Sequence, residues 1–202
     1  MPQETLIAFA LFALVASITP GPNNLMLLAS GVNFGFRSSI PHMLGICFGF
    51  LLMIFAAGFG LAEVFAQAPW IYGLLKWAGT IYMLYLAWCI ATSVSVEEIS
   101  PNGNVAKPIS FWSAAAFQWV NPKAWVMTMS AFSMYVPASS GASVIATVAV
   151  LFLVIGLPSM GVWALCGSSL RHVLQVKRNL LAFNYSMAAR LVASLFPVFY
   201  AS

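Results

Sequence analysis

Long apolar blocks separated by short polar seams run the length of the chain, and none alternates polar and apolar residues with a two-residue period. Strands of an outer-membrane barrel need that alternation to line a polar lumen, so helices are predicted instead. About 20 apolar residues carry a helix across the hydrocarbon core. Six blocks reach that length: Leu6–Gly31, Ile40–Phe65, Trp70–Ala91, Ile109–Val136, Ser143–Leu170 and Leu180–Tyr200. The longest polar stretch, 92-TSVSVEEISPNGNVAKP-108, divides the chain into a first three-helix unit over residues 1–92, a linker over 93–108 and a second three-helix unit over 109–202.

Two of the six blocks are interrupted. Span one contains 19-TPGPNN-24 and span four contains 118-QWVNPK-123. Pro20 stands 14 residues beyond Leu6 and Pro122 stands 13 beyond Ile109. At about 1.5 Å per residue, both breaks fall roughly 20 Å into their spans, close to mid-membrane. A unit of three spans is odd, so the second must run upside down relative to the first. The expected fold is therefore an all-α integral membrane bundle of six helices in two inverted repeats, the plan in which paired broken helices mark a midplane binding site.

Proline removes a backbone donor and clashes with the preceding turn, so Pro20, Gly21 and Pro22 should split span one into two half-helices. Pro22 suits the first position of the second half, leaving N–H groups free near Asn23 and Asn24. In span four Asn121 has the chemistry of an N-cap and Pro122 that of a first helical residue. Two positive helix ends at similar depth, with Lys123 beside them, suit the carboxylate of an amino acid. Gln118, Asn23 and Asn24 offer polar contacts for the rest of such a substrate. A single proline kink is commonly structural, its freed groups met by neighbouring helices; two matched breaks carrying asparagines and a lysine point to function.

Composition narrows the classes. The 202 residues are 62% hydrophobic and 6% charged, with mean hydropathy +0.94; a soluble domain carries about 25% charged residues. Arg37, Lys107, Arg171, Lys177 and Arg178 follow spans one, three and five, against Lys76 alone on the other side. The positive-inside rule then puts those three loops in the cytoplasm and both termini outside. The net charge of +4 reports this topology and contact with anionic lipid; no basic domain for nucleic acid is present. The amino terminus has no Lys or Arg ahead of its apolar run and reads as the first span, not a signal peptide. Neither HExxH, GxSxG, a cysteine–histidine cluster nor a carboxylate pair within a span is found, so no enzyme, metal or cofactor is expected.

The runs TPGPNNLMLLASGVNFGFRSSIPHMLGICFGF and KPISFWSAAAFQWVNPKAW resemble the LysE/RhtB family of bacterial inner-membrane amino-acid exporters, across essentially the whole chain. The family's two hallmarks are the Pro-Gly-Pro and Asn-Pro-Lys motifs. The resemblance implies six spans, efflux of amino acids or close derivatives, and dependence on the proton motive force. The Pro-Gly-Pro-Asn-Asn form and the Lys-Pro-Ile-Ser-Phe-Trp stretch are most similar to the branch exporting cysteine and O-acetylserine. Many members carry aspartate directly after Pro-Gly-Pro; here Asn23 stands there and the chain has no aspartate at all. An amide cannot ionise, so no carboxylate relay operates at that position.

His42, Glu63 and Arg190 are the remaining candidate proton or charge sites. His42 has a suitable unperturbed pKa, though a lone histidine is often a hydrogen-bonded structural residue. Glu63 reads more readily as an interfacial carboxylate. Arg190, midway along the sixth block, is expected to face the bundle interior or a subunit contact. Gly45 and Gly49 have small-xxx-small spacing and are expected to pack on the broken span one; the same spacing serves homo-oligomers. Trp70, Tyr72, Trp112 and Tyr200 fall near span ends as interfacial aromatics, while Trp119 and Trp125 flank the second break as cavity wall or filler. Cys47, Cys89 and Cys166 read as small hydrophobes. The competing reading makes Cys47 and Cys166 a membrane thiol–disulfide relay, but nothing beside either supplies an electropositive setting.

Overall fold

The computed structural model describes residues 1–61, 68–93, 107–137, 140–174 and 176–196. Within them the chain forms eight α-helices: α1 (Gln3–Ile18), α2 (Pro22–Phe34), α3 (Phe36–Ala56), α4 (Pro69–Ala91), α5 (Phe111–Gln118), α6 (Pro122–Tyr135), α7 (Ala142–Leu170) and α8 (Lys177–Ala193). A π-helical turn, Ala57–Leu61, prolongs α3 and contains Gly60, whose φ of +104° favours glycine. No strand occurs among the described residues.

Three helical stretches are long and apolar enough to cross a membrane: Phe36–Gly60, Gly73–Ala91 and Ala142–Leu170. The pair α1 and α2 makes a fourth if taken as one span bent by 52°. Their outer faces carry large apolar side chains at helical spacing, such as Leu11 and Val15 on α1 and Trp77, Ile81 and Trp88 on α4, all more than half exposed. In water such faces would be a liability; against lipid they are the expected surface. Trp70 and Trp112 are exposed, whereas the Tyr72 side chain and Tyr200 lie outside what the structure describes.

Both predicted breaks are present. Thr19 precedes Pro20 and is extended at φ −62°, ψ 142°, because a proline disfavours the helical conformation of the residue before it. Asn121 before Pro122 is likewise extended, at φ −82°, ψ 110°. Both downstream half-helices begin with proline at the first helical position, where its missing N–H costs nothing.

Close backbone contact decides the packing. A Cβ on Gly31 would strike the Ala164 carbonyl and one on Gly167 the Leu28 carbonyl, so α2 and α7 meet main chain to main chain. In the same way Gly45 meets the Phe111 carbonyl and Gly49 the Ala115 carbonyl. The small stripe of α3 therefore packs on α5, the first half of the other broken span, and not on span one as expected. Alanine-rich α5 offers Ala114 and Ala115 as a low surface, whereas glycine-matched α7 takes the face of α2. α4 pairs with α8, and α1 also leans on α7. Elsewhere an aromatic cluster closes the bundle: Phe152 meets Phe9 and Phe50 edge to face, each at 5.1 Å between ring centres.

Candidate functional site

The end of α1 leaves carbonyl oxygens with no helical partner, and side chains from three other helices supply the donors. Asn24 Nδ2 on α2 donates to the Ser17 and Thr19 carbonyls, both at 2.8 Å. Trp163 Nε1 on α7 donates to the Ile18 carbonyl at 3.0 Å. Lys123 Nζ on α6 donates to the Thr19 carbonyl at 2.6 Å and reaches the Pro20 carbonyl at 3.5 Å. The first break is thus held by residues up to 145 positions away.

Gly21 makes the lysine contact possible. Its backbone is fully extended, a conformation open to any residue, so chain geometry does not demand glycine. Space does: a Cβ there would lie 2.6 Å from Lys123 Cδ. The lysine stem lies across the bare glycine, and the Pro-Gly-Pro and Asn-Pro-Lys motifs interlock.

A second tie joins the breaks. Asn23 and Gln118 exchange amide hydrogen bonds of 2.8 and 3.1 Å, and Gln118 Nε2 also donates to the Ala114 carbonyl. Asn121 accepts from the Lys123 backbone N–H at 3.1 Å and so caps α6. No side chain caps α2, because its N-cap residue is Gly21, and the Asn23 and Asn24 side chains of its first turn are engaged with other partners. The open N–H end thus belongs to α2, while that of α6 is partly satisfied from within.

Between these parts lies a cavity of about 60 Å³, room for a few water molecules. Gly21, Asn23, Asn24, Gln118, Asn121 and Lys123 form its polar side. Ile46, Cys47 and Phe50 from α3, Met127 from α6, and Phe152 and Met160 from α7 form most of the apolar side. Lys123 is the one charged group among the described lining residues. Pro20, Pro22 and Pro122 shape the breaks without lining the cavity. Trp125 Nε1 donates to the Trp119 carbonyl at 2.8 Å, so this pair braces the second break and is not among the described cavity residues.

The LysE type translocator family model matches residues 14–201. The chain belongs to this family. It is 38% identical over 205 residues to the cysteine/O-acetylserine efflux protein of Escherichia coli strain K12, covering 99% of this chain and 100% of the relative. The protein of the same description from Shigella sonnei strain Ss046 matches to the same extent. No solved structure matches the chain.

Within this LysE translocator the other expected charge sites are scattered. Arg190 is exposed in the last turn of α8, away from the cavity. α8 ends at Ala193, short of the length expected, so the guanidinium sits at a helix C-terminus, where the dipole favours a cation. Of the two places expected for it, the bundle interior is ruled out by this exposure and a subunit contact is not. Glu63 lies outside the described residues. His42 is fully buried on α3, one turn before the cavity residue Ile46, and neither ring nitrogen has a partner among the described residues. All three cysteines are free: Cys47 is buried at the cavity, Cys89 is intermediate and Cys166 is exposed.

Sequence reasoning missed the acceptors, because Ser17, Ile18 and Thr19 contribute carbonyl oxygens that any residue would have. It also missed a buried network in which Asn33 and Asn184 exchange hydrogen bonds of 2.8 and 2.9 Å while Asn184 donates to the Ser93 carbonyl at 2.7 Å. Asparagines in apolar blocks at both positions were the available signal.

Proposed function

We propose that this translocator exports a small amino acid or close derivative across the bacterial inner membrane by alternating access, with both termini outside and the proton motive force as driver. The carrying observation is the cavity bounded by both helix breaks, polar on one side and apolar on the other. A substrate carboxylate meets the open N-terminus of α2 with Lys123 beside it, and the side chain lies against the apolar wall near Cys47, Met127 and Met160. Relatives named for cysteine and O-acetylserine efflux support a short, soft side chain as the cargo.

Six spans in two inverted repeats fit the packing, with α5–α6 and α8 as the spans that fall short on length or polarity. Each unit's broken span leans on the second span of the other unit: α1 and α2 on α7, α5 on α3. An Arg171 guanidinium nitrogen lies 3.5 Å from where a Gly35 Cβ would stand, bringing the α2–α3 and α7–α8 turns to one end, the one assigned to the cytoplasm. A cavity of this size must widen to admit an amino acid, and the helices that pair through glycine can part without extracting side chains from one another.

The test is counterflow of radiolabelled cysteine, O-acetylserine, homoserine, threonine, leucine and lysine into proteoliposomes under reducing conditions. Saturable uptake of cysteine or O-acetylserine, lost in Lys123→Ala, is the expected result. Normal transport by Lys123→Ala would remove the carboxylate site, and silence across the panel in folded protein would remove the carrier reading for these substrates.

A further inference from the structure

We propose that the Thr19 and Pro20 carbonyls form a primary-ammonium subsite, occupied in the empty carrier by the protein's own Lys123 and taken over by the α-ammonium of the cargo. The inference rests on the export reading only for the identity of that cargo. The end of α1 is a cation site by construction, since a helix C-terminus carries partial negative charge and exposed acceptors. The five donor contacts to the Ser17–Pro20 carbonyls come from neutral groups, Asn24 and Trp163, or from Lys123. Lys123 alone is charged, and it alone reaches the site on a long flexible stem.

A zwitterion entering the cavity brings an ammonium that needs acceptors, and no carboxylate is present among the described lining residues. The oxygens already facing an ammonium are the Thr19 carbonyl, at 2.6 Å, and the Pro20 carbonyl, at 3.5 Å. In an amino acid the carboxylate and ammonium are joined through one carbon. A carboxylate at the α2 N-terminus therefore sets the ammonium beside Lys123 Nζ, and two like charges at contact distance repel. Exchange relieves this: Lys123 swings onto the incoming carboxylate while the substrate ammonium takes the vacated carbonyls. No covalent bond changes and the charge held by protein groups is the same before and after. With no cargo, Lys123 ties the two broken spans together; with cargo, the substrate does.

The subsite is tested by binding of radiolabelled methylammonium to purified full-length protein in nanodiscs, with no amino acid present. A tethered ammonium acts at high effective concentration, so methylammonium should bind Lys123→Met at least about tenfold more tightly than wild type. Lys123→Arg, which keeps the tethered cation, should behave as wild type. Equal binding to all three proteins, or none to a folded Lys123→Met, overturns the proposal. Should Lys123→Met fail to fold, wild type decides: cysteine should compete for the site at least about tenfold better than N-acetylcysteine, whose nitrogen carries no charge. Equal competition sinks the subsite. Methylammonium binding needs no transport, so it can succeed where counterflow is silent and fail where counterflow succeeds.

Discussion

The two helix breaks look alike in one dimension and behave differently in three. At the first, the upstream carbonyls draw donors from α2, α6 and α7, and the downstream helix α2 begins without a side-chain cap. At the second, Asn121 caps its own helix and Lys123 leaves for the other break. One break receives and the other supplies. A pair of equivalent positive ends, as the motifs alone suggest, is therefore too symmetrical a picture: the open N–H end and the cation sit on different half-helices, with the cargo's proposed place between them.

The comparison breaks most completely if the half-helices lose their seats. Gly167→Leu and Gly45→Leu drive a side chain into a carbonyl oxygen of α2 or α5, and overpacking of that kind costs about 1–3 kcal/mol or more. Both variants should lose most of the monodisperse peak in fluorescence-detected size exclusion, and survival of either would mean that the contact is slack. Next in size, Lys123→Ala removes a charged hydrogen bond of about 1.5–3 kcal/mol. Counterflow should fall at least tenfold while membrane insertion persists, because an intramembrane charge costs roughly 3 kcal/mol to insert.

Asn24→Leu against Asn121→Ala sharpens the asymmetry directly. The first strips donors from two carbonyls and should cost about 1–3 kcal/mol; the second removes one cap and should cost about 1 kcal/mol. Thermal denaturation of the purified proteins should rank Asn24→Leu as the less stable, and the reverse order would return the breaks to equivalence. The smallest effect is expected from Arg190→Gln and from Cys89→Ser with Cys166→Ser, none of which touches the cavity. Counterflow should stay within about twofold of wild type, since these substitutions leave the cavity lining unchanged. Loss of transport in the cysteine pair would revive a thiol role.

Much of this was legible in the chain because its causes are local. Hydropathy over 20 residues dictates membrane helices, and proline chemistry acts on the residue before it and the turn behind it, so the breaks at Pro20 and Pro122 and the cap at Asn121 could be read by inspection. What a side chain bonds across 104 positions has no local cause. That Lys123 passes over Gly21 to the Thr19 carbonyl, that Gly45 and Gly49 seat α5 and not α2, and that Arg190 faces outward were decided by which helices meet. Helix periodicity tells which residues share a face, but the neighbour that face meets is chosen by the packing of the whole bundle.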